Sequence, residues 1–278
     1  MTALEEIERG ERFEFGRNWS SFLRTLDESR IEIARGSLQT LLQVADLKGK
    51  SFLDVGSGSG LFSLAARRLG ARVCSFDFDP ASVRCTMELR TRFDASPGEW
   101  TIQQGSALSE DFLSSLGLFD VVYSWGVLHH TGEMWQALDS VAKRVRPGGK
   151  LAIALYNDQG WRSRMWHRVK QTYCGSFLGR MTVLLLFIPW FFLRTVLISL
   201  LRGRNEFAAY RRNRGMSIAH DWIDWLGGLP FEVARFEDVC EFFASRGFHL
   251  INSKRTRRLG CNEFCFERSG EPEQKRFP

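Results

Sequence analysis

The stretch Leu53-Asp54-Val55-Gly56-Ser57-Gly58-Ser59-Gly60 decides the fold. A short apolar run, residues 51–55, leads into it, and residues 61–69 leave it as helix until Gly70. A strand that turns through alternate glycines into a helix lets backbone approach a ligand closely, beside the positive helix end. The glycines alone are ambiguous, because nicotinamide-dinucleotide folds use nearly the same turn. Asp77, 21 residues after Gly56, fits a ribose in either case. Asp54 discriminates. A carboxylate two residues before the first glycine crowds a pyrophosphate, but suits a ligand carrying an ammonium and a sulfonium.

The pattern repeats outward from that turn. Residues 20–47 read as helix, with Leu38, Leu41, Leu42 and Ala45 near helical spacing, broken by Lys48-Gly49-Lys50. Further strands are expected at 71–76, 100–104, 119–124 and 150–156, with helices at 81–93 and 135–145 between them. Strands alternating with helices imply a parallel sheet covered on both faces. A helix at 236–245 precedes two closing strands, 248–253 and 262–267, joined too briefly for a crossover and so antiparallel to each other. The expected class is α/β, a doubly wound, Rossmann-like, seven-stranded mixed sheet with its last strand antiparallel. A helical insertion follows the fifth strand. The expected parts are an N-terminal helical cap (1–47), the ligand-binding core (48–156), the insertion or lid (157–235) and the closing helix and strands (236–278).

Four motifs in this order resemble class I S-adenosylmethionine-dependent methyltransferases. They are Leu53 to Gly60, Phe76-Asp77-Phe78-Asp79-Pro80, Phe119-Asp120-Val121-Val122-Tyr123-Ser124 and Arg146-Pro147-Gly148-Gly149. The resemblance covers residues 30–156 and 236–268, and implies S-adenosylmethionine as cofactor. It implies that Asp54 and the Gly56-Ser57-Gly58 backbone hold the methionine part, that Asp77 binds the ribose and that Phe78 lies against adenine. Ser124, which closes the fourth-strand motif, is implied as a further cofactor contact. Many relatives have an acid after the third strand for the adenine amine. Here the triplet is Gly105-Ser106-Ala107, so Ser106, Ala107 or their backbone must substitute.

A sulfonium methyl is already activated, so the enzyme needs only to align the acceptor and, for a hydroxyl, to remove its proton. After the fourth strand come Trp125-Gly126-Val127-Leu128-His129-His130-Thr131. His129 and His130 are candidate bases there, with capping or packing of the next helix as the other reading. The Leu-His-His run is similar to that of small-molecule and sugar O-methyltransferases. Ubiquinone-pathway O-methyltransferases carry Glu-x-x-Glu-His, where this chain has Gly126, His129 and His130. Without the two acids the resemblance implies no bound metal and favours a quinol less. Cys261, Glu263 and Cys265 alternate as in a strand, with no second ligand pair nearby. Tyr156, Asn157 and Trp161 are substrate-pocket candidates by resemblance, residues 220–232 a second wall, and Asn18-Trp19 a cover for the cofactor.

The charge is local. Residues 160–214 hold eleven Lys and Arg against one acid, Glu206, a net of +10 in a chain whose total is +6. The rest is therefore −4, which argues against nucleic acid as a partner. Within this insertion residues 181–201 are mostly apolar and near bilayer-spanning length. They contain Pro189 and Arg194, carry basic residues on both flanks and lie inside the domain, all of which oppose a span. Three readings stay open: a lid over the site, a homodimer contact, or in-plane contact with an anionic membrane surface. Six cysteines without framework spacing and an N-terminus without a signal pattern point to a cytoplasmic protein, peripheral at the membrane under the third reading. The expected function is O-methylation of a small or lipid-linked hydroxyl compound. N-methylation of a protein or peptide amine, a cofactor-binding or docking protein without turnover, and a nicotinamide oxidoreductase are the alternatives.

Overall fold

A computed structural model describes residues 5, 6, 9, 13, 15–24, 26–94, 97–207, 218–257 and 259–270. Side chains are described for these except at 15, 17, 18, 21, 97, 218–221 and 224, so the side chains of Asn18, His220 and Asp221 lie outside the described residues. The five expected strands are present as β1 (Ser51–Val55), β2 (Arg72–Asp77), β3 (Trp100–Gln104), β4 (Phe119–Trp125) and β5 (Val145–Tyr156). The closing pair is β6 (Phe248–Lys254) and β7 (Cys261–Arg268). The sheet order is β3-β2-β1-β4-β5-β7-β6. β1 to β5 run parallel, and β7 is antiparallel to both β5 and β6. Strand order reverses between β1 and β4. The crevice at their carboxyl ends is where open α/β sheets bind ligands.

Helices cover both faces. On one lie α2 (Glu28–Leu42), α3 (Leu61–Arg68) and α4 (Pro80–Phe93), contributing Ile31, Leu38, Leu64, Ala65 and Leu89 to a dry core. On the other lie α5 (Glu110–Leu116), α6 (Met134–Ala142) and α10 (Phe236–Ala244), with Leu113, Leu138, Val141 and Phe243. The helix expected over 20–47 is two: α1 (Phe15–Leu23) ends early, and Asp27 caps α2 by accepting the Arg30 N–H at 3.0 Å. α5 escaped the sequence reading because it spans seven residues, announced only by its Ser109 cap.

Among the described residues the insertion holds three helices, α7 (Trp161–Gly175), α8 (Phe177–Arg202) and α9 (Ile218–Gly227). They share a small core of Trp166, Tyr173, Val183, Phe191, Leu226 and Phe231, against which Tyr156 at the end of β5 packs. Trp161, Met165 and Val169 recur at helical spacing, which predicts that they form the buried face of α7, but a different face is buried. Trp161 is 63% and Met165 39% exposed, and Ser163, Trp166, Lys170 and Tyr173 face inward instead. α8 is long and apolar enough to cross a membrane, yet only 17% of its most apolar window is buried.

Candidate functional site

The glycine turn is knitted to β2. Gly56 and Ser57 donate their N–H groups to the Phe76 carbonyl at 2.9 and 3.0 Å, and Gly58 donates to Asp77 Oδ2 at 2.9 Å. The Asp79 N–H reaches the other Asp77 oxygen at 2.9 Å. These two bonds fix the orientation of the Asp77 carboxylate at the end of β2. Gly56 and Gly58 have φ of +77° and +55°. A methyl on Gly56 would stand 2.3 Å from Val127 Cγ1, and one on Gly58 2.9 Å from the Trp19 indole. The histidine loop and α1 therefore close on the turn from two sides. Gly56→Ala combines a left-handed backbone with overpacking, and is expected to cost about 2–4 kcal/mol in denaturant unfolding. Adding Val127→Ala should recover part of that loss. No recovery would mean that contact with Val127 is not the cause.

Asp54 lies beneath the turn, 2% exposed. Ser63 Oγ donates to Asp54 Oδ2 at 2.5 Å, Ser63 and Ser75 hydroxyls meet at 2.6 Å, and Trp100 Nε1 donates to Ser75 Oγ at 2.8 Å. The indole can only donate and an ionised carboxylate only accept, so every proton in this chain points toward Asp54. Burial, with the Asp77 charge adding, pushes the Asp54 carboxyl up to about 7. Among the described residues no Lys, Arg or His forms an ion pair with it. A buried carboxylate held without a cation fits a positively charged ligand group.

The two histidines follow on a short 3₁₀ turn, Leu128–His130, and their bonding differs. His130 Nδ1 meets the Pro230 carbonyl at 2.5 Å. A carbonyl only accepts, so the proton is on Nδ1 and the lone pair on Nε2. His129 is reversed: the Tyr156 backbone N–H donates to its Nδ1 at 3.4 Å. Its Nε2 then carries the proton, and that buried atom has no hydrogen-bond partner. Burial, reinforced by His130 and Lys170, holds His129 well below the usual histidine range.

Residues 26–226, well over half of the chain, match the methyltransferase domain family. The chain belongs to the class I S-adenosylmethionine-dependent methyltransferase family. It is 35% identical over 111 residues to a tRNA U34 carboxymethyltransferase of Methylococcus capsulatus, covering 40% of this chain and 33% of that protein. It is 31% identical over 112 residues to a ubiquinone biosynthesis O-methyltransferase of Xanthomonas oryzae, covering 40% and 45%. Less than half of those relatives' length is matched. The magnesium protoporphyrin IX methyltransferase of Synechocystis, solved with S-adenosylhomocysteine, shares the fold at a TM-score of 0.52 and 14% identity, over 86% of this chain and 83% of that one.

In this methyltransferase several of the expected site residues also make contacts within the fold. Ser124 Oγ donates to the Val55 carbonyl at 3.0 Å, tying β4 to β1. Ser106 Oγ accepts the Leu108 N–H at 3.2 Å, and Ala107 is buried in the core. Phe78 is half-buried at the end of β2, its carbonyl accepting from Gln104 Nε2 at 3.3 Å. Asn157 spends its amide on the closing hairpin, donating to the Thr256 carbonyl and accepting from Asn262 Nδ2, both at 3.1 Å. Trp161 stands on the outer face of α7, apart from Tyr156. Tyr156 does meet the histidines, its ring centroid 3.9 Å from His129 and 5.4 Å from His130.

Sequence reading missed Lys170 entirely. It is fully buried, its ammonium donating to the Trp225 carbonyl and lying 4.7 and 4.8 Å from the Trp225 and Phe231 ring centroids. Glu232 ties the same region to the histidine loop. Its N–H donates to the His129 carbonyl at 3.0 Å, and its carboxylate accepts the Met134 N–H at the start of α6. Beside it opens a cavity of about 350 Å³ lined by Trp135, Asp158, His167, Phe231 and Glu232. Because the Lys170 charge opposes protonation of His129, Lys170→Met should raise the His129 pKa. An NMR titration of the ring that showed no upward movement would remove that coupling.

Proposed function

We propose that this chain transfers the methyl group of S-adenosylmethionine to a hydroxyl of a small or lipid-linked acceptor, with His130 as the general base. S-adenosylmethionine supplies an activated methyl on a positive sulfur. The protein's task is to hold that cation, align the hydroxyl and take its proton. Asp54 and the backbone of Gly56, Ser57 and Gly58 hold the methionine part, Asp77 the ribose and Phe78 the adenine, with Ser106 and Ala107 closing the adenine side. The acceptor hydroxyl lies at the histidine loop, and the neighbouring 350 Å³ cavity lined by Trp135, His167, Phe231 and Glu232 has room for the rest of a small ring.

The observation that carries the reading is the opposite bonding of the two histidines. The Pro230 carbonyl fixes the His130 proton on Nδ1 and makes Nε2 the basic atom. His129, neutral and buried, serves as a packing partner for Tyr156. Incubation with methyl-labelled donor and fractionated lysate tests the acceptor class. Label is expected in the small-molecule or lipid fraction. Label in protein would favour the amine reading, in which no base is needed.

A further inference from the structure

The surface of α8 and the outer face of α7 lie apart from the site described above, except that Arg164 borders both the acceptor cavity and the groove between the two helices. Thirteen of the nineteen large apolar side chains that stand exposed among the described residues lie between Trp161 and Leu201. On α8 they form a broad apolar face that includes Leu178, Leu185, Leu186, Leu193, Leu197 and Leu201, each more than half exposed. The helix is 26 residues, about 39 Å, so this face is far larger than a scatter of single surface leucines. A groove of about 530 Å³ separates α7 from α8. Met165, Val169, Val183 and Leu186 line it, with Arg164 and Arg168 one turn apart on its α7 edge.

The charge on this surface has one sign. No Asp or Glu occurs between Asp158 and Glu206. Arg202 and Arg204 pair with Glu206, and Lys170 is buried. That leaves Arg162, Arg164, Arg168, Arg180 and Arg194 without an acidic partner among the described residues. A second copy of the same surface would set these cations against one another. Anionic headgroups complement them, and long arginine stems lie along apolar surface while their heads reach the interface.

We infer that the α7–α8 hairpin docks this protein in-plane on an anionic lipid bilayer, with Arg164 and Arg168 at lipid phosphate and an acyl chain in the groove between the helices. The inward face of α8 is already used. Phe191 packs on Trp166 and Trp222 with centroids 6.4 and 5.6 Å apart, and Phe187 on Trp166 at 5.3 Å. A span would strip those contacts, whereas an in-plane helix keeps them and buries only the exposed face. The inference does not depend on the acceptor or base assigned above, since docking is read without turnover.

Flotation of the full chain with phosphatidylcholine vesicles, with and without phosphatidylglycerol, tests it. Binding is expected on the anionic vesicles, at least about tenfold weaker on neutral ones and weaker again at high salt. Leu185→Glu with Leu193→Glu, and separately Arg164→Gln with Arg168→Gln, should each reduce binding by about tenfold or more at an unchanged thermal melt. Folded protein that ignores anionic vesicles would overturn the inference, as would equal binding to both kinds. A wild-type dimer that the leucine pair of substitutions converts to monomer would give the face to a second copy. Resistance to alkaline carbonate extraction would make α8 a span. Either result ends the in-plane assignment.

Discussion

Replacing Asp54 with asparagine is expected to stabilise the ligand-free protein above about pH 7 and to weaken S-adenosylmethionine binding about a hundredfold or more. The first effect follows from burial. Asp54 titrates at about 7 in the folded chain against an ordinary value of 3.8. Between those values the native state holds a proton that the unfolded chain has lost. Stability therefore falls as pH rises from about 4 to about 7 and is flat above. The gap corresponds to roughly 4 kcal/mol, taken as an order of magnitude. Asparagine keeps an oxygen for the Ser63 hydroxyl but cannot ionise, so the variant should lose this slope. Its advantage in melting temperature should vanish toward pH 4.

The second effect has the opposite sign, because the carboxylate that destabilises the empty fold is what a cationic donor needs. About a hundredfold in affinity is about 2.7 kcal/mol, within the range for removing one partner of a desolvated charge pair. Donor binding to the wild type below about pH 7 should also expel a proton. Calorimetry in buffers of different ionisation heat reads that release directly. Equal donor affinity in both proteins, or a stability gain that grows toward acid, would remove Asp54 from the site.

The parts of this site that the sequence made legible are those where backbone geometry dictates residue type. Gly56 and Gly58 had to be glycine at positive φ beside Val127 and Trp19, and Asp54 and Asp77 stood at fixed distances from them. β1 to β4 and the closing pair were legible because short apolar runs end at turn residues. What stayed hidden depended on tertiary partners. Lys170 reads as a solvent residue and helical spacing points Trp161 and Met165 inward, whereas Lys170 is buried and those two are exposed. The Trp100, Ser75, Ser63 relay to Asp54 joins β3, β2, α3 and β1, and no local pattern announces it. Nor could spacing distinguish His129 from His130. Their difference is set by Tyr156 and Pro230, 27 and 100 residues away.

That difference yields the other large effect. His130→Ala should lower the rate of S-adenosylhomocysteine formation about a hundredfold to ten-thousandfold, the usual worth of a positioned base, while donor affinity stays within about threefold. His130 is 7% exposed and its ring is held through Nδ1 by the Pro230 carbonyl, so removing it also costs packing. Thermal melts must therefore accompany the kinetics. His129→Ala is the informative contrast. His129 is fully buried against the Tyr156 ring, and deleting a buried ring is expected to cost stability, about 3–5 kcal/mol. With the lone pair of Nδ1 turned to the Tyr156 N–H and a proton on Nε2, it has no basic nitrogen to offer an acceptor hydroxyl. The two variants should separate: His130→Ala loses turnover more than stability, and His129→Ala stability more than turnover. If folded His129→Ala were the inactive one, the base assignment would pass to His129. If both kept turnover, the acceptor atom would need no base, and an amine would replace the hydroxyl.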